Sequence, residues 1–225
     1  MKKVRFTKTH GAGNDFVLID DRDETFPERG SLIAAMAADH TGIGCEGVIL
    51  VRKSQKANFR MTFYNPDGTE AELCGNGSRC VAAFAKRIGA VKSNCMTFET
   101  GAGLVDAEIV DEGLVRVWMP EPKGRRYDCS AVCSEDGSMS VTGDYLVVGV
   151  PHFIVPVSNV TKVDVEKSGR ALRLSPEFAP NGTNVDFVQY IPPSKAIIRT
   201  YERGVEAESG ACGTGAVATA VAGVE

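Results

Sequence analysis

The stretch CGNGSRC, residues 74–80, places a cysteine directly before a Gly-Asn-Gly turn. The chain repeats this arrangement with CGTG, residues 212–215. Apolar residues recur at helical spacing after Cys74 until Gly89, a residue type that commonly ends helices. The residues after Cys212 are small and apolar, which is typical of a helix that is buried on all sides. The pattern therefore predicts that both cysteines lie at the N-terminus of a helix.

The two cysteine stretches are parts of a longer internal repeat. Residues 60–77 (RMTFYNPDGTEAELCGNG) and residues 199–215 (RTYERGVEAESGACGTG) share a Tyr, a Gly, Glu-Ala-Glu and Cys-Gly-x-Gly in the same order. The separation stays at 137 or 138 positions for three residue pairs: Tyr64 and Tyr201, Cys74 and Cys212, and Asp15 and His152. One separation held over three stretches indicates two structurally similar halves, joined near residues 115–125.

Strand-like patterns outnumber helical ones along the chain. Helical patterns follow the two cysteines and also cover Leu32–Asp39. The predicted strand runs are Val4–Asp20, Gly47–Val51, Asn58–Tyr64, Met96–Glu99, Leu104–Val110, Leu114–Met119, Asp144–Val157, Thr183–Tyr190 and Ala196–Tyr201. We predict an α+β fold of two similar, pseudo-symmetric lobes, residues 1–117 and 118–225. Each lobe would be a curved, mostly antiparallel sheet around a central helix, with the active site in the cleft between them.

Composition and charge argue against several classes of partner. The net charge is −4 and the basic residues are scattered, so neither nucleic acid nor an anionic membrane is predicted as a partner. No apolar run approaches the roughly 18 residues of a membrane helix. Residues 1–21 also lack the apolar core of a signal peptide. Seven cysteines, an odd number, favour reduced thiols, and we predict a cytoplasmic protein.

Neither a metal site nor a cofactor is predicted. Cys129 and Cys133 have the spacing of half a zinc site, but no second close pair follows, so we interpret them as ordinary residues of a polar linking segment. The chain has no Walker-type Gly-Lys-Ser, and no G-x-G-x-x-G placed after a strand with a ribose-binding acid. Spacing does not exclude a pyridoxal phosphate lysine, although no pattern indicates one.

The predicted position of the two thiols has a chemical meaning. A helix N-terminus offers N–H groups and the positive end of the helix dipole, which lower the pKa of a thiol and bind anions. One such turn would fit a nucleophile, a small anion site or a plain loop. Two such turns in a repeat favour inversion at a carbon next to a carboxylate. A thiolate would remove the α-proton from one face, and a thiol would return a proton to the other.

The motifs of both halves resemble those of the diaminopimelate epimerase family. The matching stretches run in order over nearly the whole chain: THGAGNDFVLID, YNPDGTEAELCGNGSRCVAAF, VPHFIV, GTNVDFV and YERGVEAESGACGTGAVA. That family has two similar lobes, works without pyridoxal phosphate, and interconverts LL- and meso-diaminopimelate for lysine and peptidoglycan. The resemblance implies an amino-acid epimerase that acts on a small-molecule amino-acid substrate.

The resemblance also implies roles for individual residues. The acid–base pair would be Cys74 and Cys212, with electrostatic help from His152 and Glu202. The substrate's ammonium and carboxylate groups would be held by four side chains: Asn14, Asn65, Asn184 and Arg203. The reacting carboxylate would be bound by the N–H groups of Gly75, Asn76, Gly213 and Thr214. Arginine offers a bidentate fork for a carboxylate, and asparagine offers donors and acceptors, which agrees with these roles.

Several of these residues also have an ordinary structural interpretation. Asn14 follows a glycine and could be a turn residue, and residues 65–68 (NPDG) have the composition of a β-turn. His152 could be an internally bonded strand residue, and Glu202-Arg203 could be an exposed charge pair. Their functional interpretation depends on the combined family pattern.

Two motifs depart from the family pattern, and the chain is short. Gly149-Val150-Pro151-His152 stands where the family often has Gly-Asn-Pro-His, and Gly44-Cys45-Glu46-Gly47 where it often has Gly-Ala-Asp-Gln. Both changes affect substrate contacts more than the type of reaction. Family members usually continue for several strands after the second cysteine helix, whereas this chain stops at Glu225. An open sheet edge would favour association, and a homodimer is one assembly that fits.

Two other functions stay open. The same chemistry could act on another amino acid, such as histidine, or the chain could be a non-catalytic relative that binds amino-acid-like ligands. Exchange of the α-proton with D₂O over a panel of amino acids would separate the first from diaminopimelate epimerisation. Tight binding without any exchange would favour the second.

Overall fold

The computed structural model describes residues 3–133 and 138–224. Its contacts divide the chain into two compact units, Met1–Pro120 and Glu121–Glu225, which we call the N-terminal lobe and the C-terminal lobe. Each lobe has its own mixed sheet, and each sheet is curled like half of a barrel.

In the N-terminal lobe, a sheet runs in the order β1-β2-β3-β4-β6-β7-β8, with the short β5 also paired to β4. Its neighbouring strands are antiparallel except for the parallel pairs β2–β3 and β4–β6. The elements of this lobe are β1 (Thr7–Gly11), β2 (Asn14–Asp20), α1 (Gly30–Ala37), β3 (Val48–Arg52), β4 (Phe59–Tyr64), β5 (Glu70–Ala71), α2 (Gly75–Arg87), β6 (Cys95–Thr100), β7 (Gly103–Asp111) and β8 (Leu114–Trp118).

In the C-terminal lobe, the sheet order is β14-β13-β12-β11-β10-β9, and the pair β11–β12 is parallel while the other pairs are antiparallel. The elements of this lobe are β9 (Lys123–Val132), β10 (Ser140–Val148), β11 (Val150–Pro156), α3 (Val165–Arg173), β12 (Asn184–Ile191), β13 (Lys195–Glu202), β14 (Ala207–Ser209) and α4 (Gly213–Ala222).

The two lobes share one succession of elements. An antiparallel hairpin, β1–β2 or β10–β11, leads through a helix, α1 or α3, into a strand parallel to the second hairpin strand. An antiparallel strand and a very short strand follow, and the chain then enters α2 or α4 directly after a cysteine. The predicted α+β fold of two similar, mostly antiparallel lobes is therefore confirmed.

Helices pack on both faces of each sheet. In the N-terminal lobe, α2 packs on the face that presents Phe16 and Ile49, and α1 packs on the face that presents Val17 and Val48. In the C-terminal lobe, α3 packs on a buried cluster around Phe153, and α4 contacts β10 to β13. Each apolar side chain of these cores contributes about 1.5–3 kcal/mol when it is fully buried, so the strands that carry the site residues are held rigidly.

The hairpins of the two lobes differ by one residue in their turns. Gly11 pairs with Asn14 across a two-residue turn, whereas Val148 pairs with Val150 across the single residue Gly149. The residue that corresponds to Asn14 in the C-terminal lobe is therefore Val150.

The next strand pair supports this assignment. Val17 pairs with Val48 in the N-terminal lobe, and Phe153 pairs with Val185 in the C-terminal lobe. His152 therefore corresponds to Phe16, and the predicted match of His152 with Asp15 was wrong by one position. The error matters because a slip of one residue turns a side chain to the opposite face of a sheet.

Most predicted strands are confirmed, and the differences have identifiable causes. The run Val4–Asp20 contains the hairpin β1–β2, and Asp144–Val157 contains the turn between β10 and β11. Cys129 lies in strand β9 rather than in a linking segment. This strand was not predicted because β9 is at the edge of its sheet and its residues are mostly polar and exposed. Helix α4 is not buried on all sides, since Ala216 and Ala220 are exposed.

Candidate active site

Cys74 is the N-cap residue of α2, as predicted. Its backbone is extended, with φ −134° and ψ 118°, and the N–H group of Gly77 donates a hydrogen bond to its Sγ over 3.4 Å. Gly75 and Asn76 are the first two residues of the helix, where N–H groups are not used by the helical ladder. A Cβ at Gly77 would lie 2.9 Å from Ile49 Cδ1, so this glycine lets the helix end approach the sheet closely.

Asn14, at the start of β2, connects the Cys74 thiol to a carboxylate. The thiol donates to Asn14 Oδ1 over 3.7 Å, and Asn76 Nδ2 donates to the same oxygen over 3.4 Å. Asn14 Nδ2 donates to Glu46 Oε2, and Arg79 Nη2 holds Asn76 Oδ1 at 2.5 Å. The structure therefore brings the predicted residues Asn14, Asn76 and Cys74 together, and it adds Glu46 to their network.

Asn65 serves a turn. Its Nδ2 donates to Thr69 Oγ1 over 3.1 Å, and its carbonyl accepts from the Gly68 N–H group over 3.0 Å. A cavity of about 810 Å³ in the same lobe is lined by Gly13, Asp15, Glu46 and Pro66, among others. Since these residues are sequence neighbours or hydrogen-bond partners of Asn14 and Asn65, the cavity adjoins both predicted substrate ligands.

The departure at Gly47 has a steric reason. A Cβ at this position would lie 2.4 Å from Phe63 Cε2 and 3.1 Å from the carbonyl oxygen of Tyr64. A glutamine here would require Phe63 to move. The residue of the C-terminal lobe that corresponds to Gly47 is Asn184, one residue before Val185. At this position, therefore, only the C-terminal lobe has an amide side chain.

Cys212 is the N-cap residue of α4 and repeats the geometry of Cys74. Its φ and ψ are −115° and 105°, and the N–H group of Gly215 donates to its Sγ over 3.4 Å. Gly213 and Thr214 are the first two residues of α4, as the predicted carboxylate site requires. A Cβ at Gly215 would lie 2.5 Å from Asp186 Oδ1, so the absence of a side chain is again needed for close packing.

A chain of polar contacts leads from Cys212 into the core of the C-terminal lobe. Cys212 Sγ lies 3.3 Å from Thr214 Oγ1, which lies 2.9 Å from His152 Nε2. His152 Nδ1 is 2.7 Å from Asp186 Oδ2, and Thr200 Oγ1 donates to Asp186 Oδ1 over 2.7 Å. The side chains of His152 and Asp186 are completely buried. His152 therefore reaches the predicted catalytic thiol through the hydroxyl of Thr214.

The environment of Cys212 does not lower the pKa of its thiol. Desolvation, together with the negative charges of Glu202 and Asp186, raises the pKa of Cys212 well above its ordinary value. The contact with the Thr214 hydroxyl and the hydrogen bond from the Gly215 N–H group oppose this shift but do not overcome it. The expectation of greater thiolate character at this helix end was therefore wrong for Cys212, because burial and nearby carboxylates outweigh the helix dipole.

Asn184 links His152 to Arg203. Asn184 Nδ2 lies 3.4 Å from His152 Nε2, and Asn184 Oδ1 accepts from the N–H group of Arg203 over 2.7 Å. The Arg203 guanidinium contacts the carbonyl oxygen of Asn181 at 3.4 Å. Glu202 acts on Cys212 through its charge.

Sequence reasoning missed Asp186, although the sequence held a signal for it. Asp186 stands in the strand NVDFV between apolar neighbours, and strands disfavour Asp as they disfavour Asn. A charged residue is seldom fully buried unless it is paired. The same argument drew attention to Asn184 and applies equally to Asp186.

No group of three or more His, Cys, Asp and Glu side chains in residues 3–133 and 138–224 could hold a metal ion. No helix in this part of the chain is both long and apolar enough to cross a membrane.

Comparison with solved structures defines the class of fold. A hydroxyproline epimerase from Agrobacterium vitis, solved with bound trans-4-hydroxy-L-proline, superposes with a TM-score of 0.72 and 18% identity over 96% of this chain and 75% of that chain. A phenazine biosynthesis protein of the PhzF family from Bacillus anthracis gives a TM-score of 0.68 and 18% identity over 96% and 78%. The chain has the fold that these two proteins share.

Sequence comparison defines the family. A family model for diaminopimelate epimerase matches residues 6–123 and 145–225. The diaminopimelate epimerase of Aquifex aeolicus (strain VF5) is 45% identical over 97% of this chain and 80% of the relative. That of Flavobacterium psychrophilum is 36% identical over 97% and 81%. The chain belongs to the diaminopimelate epimerase family, as its motifs indicated, and it is an isomerase.

Proposed function

We propose that this protein interconverts LL- and meso-diaminopimelate, within lysine and peptidoglycan precursor biosynthesis, and that Cys74 and Cys212 are its acid–base pair. The observation that carries the proposal is the repeated geometry of the thiols. Each is the N-cap of a helix and accepts an N–H hydrogen bond from the glycine three residues later, over 3.4 Å. The identity of 45% to a diaminopimelate epimerase over almost the whole chain supports the choice of substrate.

The proposed reaction inverts one α-carbon without a change in composition. One thiolate removes the α-proton from one face, and the other cysteine, as a thiol, delivers its proton to the opposite face. The N–H groups of Gly75, Asn76, Gly213 and Thr214 would bind the α-carboxylate and stabilise the negative charge that spreads onto it. Because the pKa of Cys212 is raised, Cys212 would begin the cycle as the thiol.

The remaining predicted residues would bind and orient the substrate. Asn14, Asn65 and Asn184 have amide groups that can contact both ammonium and carboxylate groups. Arg203 would pair with the carboxylate of the non-reacting end. His152 and Glu202 would assist the thiols without touching the substrate, His152 through Thr214 and Glu202 through its charge.

Exchange of the α-proton in D₂O tests the proposal. Incubation with LL-diaminopimelate should place deuterium at one α-carbon and produce the meso isomer, as followed by mass spectrometry and chiral chromatography. L-histidine, L-proline and L-lysine serve as a comparison panel. Faster exchange on one of these than on diaminopimelate would contradict the proposed substrate. Tight binding of diaminopimelate without exchange would contradict the proposed enzyme activity.

One observation favours a racemase of another amino acid as the second candidate. Val150 occupies the position where the family often has Asn, two residues before His152, and 9% of its surface is exposed. An apolar contact there would suit a less polar side chain than that of diaminopimelate. The same panel decides between the two substrates.

We also propose a cytoplasmic location and a homodimer. All seven cysteines are free thiols, a state that reducing compartments maintain. Strand β8 is at an edge of its sheet and carries the exposed side chains Leu114 and Trp118, and such edges favour association. Sedimentation velocity would test the dimer, and a single monomeric species at micromolar concentration would contradict it.

A further inference from the structure

The polar chain behind Cys212 has a defined hydrogen-bond direction. Asp186 already accepts the Thr200 hydroxyl through Oδ1, and its Oδ2 lies 2.7 Å from His152 Nδ1. A carboxylate can only accept, so Nδ1 carries a proton. In the neutral ring, Nε2 is then an acceptor, and the Thr214 hydroxyl donates to it over 2.9 Å. Thr214 Oγ1 in turn accepts from the Cys212 thiol over 3.3 Å.

The fold does not require this polar chain. The N-terminal lobe builds the same topology with apolar residues at the equivalent positions: Phe16 corresponds to His152, Ile49 to Asp186 and Phe63 to Thr200. All three are buried in one cluster, and Phe16 packs edge-on against Phe63 at 6.1 Å. The equivalence of Ile49 and Asp186 is also visible at the helix ends, where each faces the glycine three residues after the cysteine.

Burial of these polar groups has a thermodynamic cost. A buried carboxylate and imidazole require complete hydrogen bonding to be tolerated, and an apolar cluster of similar volume is often at least as stable. The C-terminal lobe retains them directly behind one of the two thiols that the proposed function uses. Their presence in one lobe only points to a role at Cys212.

We propose that Asp186, His152 and Thr214 form a proton relay that sets the protonation state of Cys212, an inference that rests on the proposed function. The Cys212 S–H proton passes to Thr214 Oγ1 as the Thr214 hydroxyl proton passes to His152 Nε2. The products are a thiolate, an unchanged hydroxyl and an imidazolium, and the imidazolium is paired with the Asp186 carboxylate. The reverse transfer returns the proton to Cys212.

The relay fits a requirement of two-base chemistry. Cys212 has to start as a thiol in one direction of the reaction and as a thiolate in the other. When its S–H proton has moved through Thr214 to His152, Cys212 is the thiolate, and the reverse transfer restores the thiol. The charged groups that act on Cys212 are Glu202 on β13 and Asp186 on β12, and Asp186 also contacts the imidazole directly. Asp186 is therefore a positioning residue that acts through His152.

Alkylation of Cys212 by iodoacetamide, without substrate, tests the relay. The rate is followed by peptide mapping between pH 6 and pH 10, because the thiolate is the reactive form. Asp186→Asn removes the acceptor that favours imidazolium, so we expect Cys212 to react roughly tenfold more slowly near neutral pH, a shift of about one pKa unit. A purely through-space effect of the Asp186 charge would have the opposite sign, since loss of a negative charge favours the thiolate.

Two variants of Thr214 isolate the hydroxyl. Thr214→Val should slow alkylation of Cys212 several-fold, whereas Thr214→Ser keeps the hydroxyl and should react like the parent protein. When Asp186→Asn is combined with Thr214→Val, the slowing caused by Asp186→Asn should disappear. Cys95, exposed on β6 in the other lobe, is the internal control and should react at one rate in every variant.

Each outcome decides the proposal. Faster alkylation of Cys212 in Asp186→Asn, or an unchanged rate in Thr214→Val, would overturn the relay. Additive effects of the two substitutions would also overturn it, because coupling through the hydroxyl is the claim. The proposed function can fail independently, since the alkylation pattern needs no substrate and diaminopimelate exchange needs no alkylation. Thr214→Val and Thr214→Ser keep the test decisive if circular dichroism shows that Asp186→Asn is not folded.

Discussion

The two lobes place a cysteine at the same kind of helix end, but the buried residues behind the cysteine are apolar in one lobe and polar in the other. Both place a cysteine at the N-cap of a helix with the same N–H contact to sulfur. Behind Cys74 the sheet presents Phe16, Ile49 and Phe63, and behind Cys212 it presents His152, Asp186 and Thr200. The position of the cysteine at the helix end follows from the shared topology. The buried residues behind it differ between the lobes and can therefore give the two thiols different acidities.

The partners of the thiols differ in the same way. Asn14 accepts from Cys74, but its counterpart Val150 has no polar group in its side chain. Cys212 contacts Thr214 instead, and the counterpart of Thr214 is Asn76. Two thiols that begin with different neighbours can begin with different protonation states, which an inversion with one acid and one base requires.

The largest effect is expected at the cysteines themselves. If both thiols are needed, Cys74→Ala and Cys212→Ala should each reduce epimerisation of diaminopimelate by at least roughly 1,000-fold, because inversion needs a proton acceptor and a proton donor. Chiral chromatography of the product measures this loss. Cys95→Ala, at an exposed thiol, is the matched control and should retain the parent rate. Near-normal inversion in either active-site variant would show that the two lobes do not contribute equally essential thiols.

A smaller effect is expected from Arg203. The corresponding residue of the N-terminal lobe is Pro66, so only the C-terminal lobe has an arginine at this position. Arg203→Lys should raise the KM for diaminopimelate by about 10- to 100-fold, because lysine cannot reproduce a bidentate contact with a carboxylate. The value of kcat should change much less. A parent-like KM would remove Arg203 from the proposed substrate site.

The glycines three residues after each cysteine give a comparison of stability. Gly215→Ala would place a Cβ 2.5 Å from Asp186 Oδ1, which Thr200 and His152 hold in place, so it should destabilise the protein by about 1–3 kcal/mol. Gly77→Ala would meet the ends of two flexible side chains, Ile49 at 2.9 Å and Met61 at 3.3 Å, and should cost under about 1 kcal/mol. Urea unfolding measures both.

Gly210→Ala, with no atom within 4 Å of its Cβ, is the control. Equal costs for Gly77 and Gly215 would contradict the rigid setting of Asp186.

The smallest effect is expected at Val150. Val150→Asn makes the C-terminal lobe resemble the N-terminal lobe and the usual family motif. We expect kcat for diaminopimelate to be retained and KM to fall by no more than a few-fold. A loss of tenfold or more would indicate that Val150 belongs to a pocket for a different, more apolar substrate.

The local motifs of the sequence predicted the cysteine helices and the repeated strands, because capping residues and apolar periodicity are short-range signals. Helix α3 escaped prediction because Gly169 interrupts its pattern. A Cβ at Gly169 would lie 2.4 Å from Tyr201 Cβ, so a tertiary contact selects this glycine. Strand β9 was missed because its exposed polar residues give no period-two pattern.

The candidate site was predictable only in part, for a related reason. The cysteines, His152 and Asn184 were found through motifs, but the function of a buried residue depends on which face it occupies. The shorter turn at Gly149 shifts β11 by one residue, and this shift, invisible in the motif, places His152 opposite Thr214. Asp186 could then be recognised only from its contact with that histidine.

The most direct test of the two-thiol account is the position of deuterium in the first few per cent of reaction with LL-diaminopimelate in D₂O. The account predicts that the newly formed meso isomer carries one α-deuterium while the recovered LL isomer remains protiated, because the proton removed on one face is not the one delivered to the other. Mass spectrometry of the separated isomers gives both values. Deuterium in the recovered LL isomer at the level of the product, or a product that retains the original α-proton, would contradict the assignment of one thiol to each face.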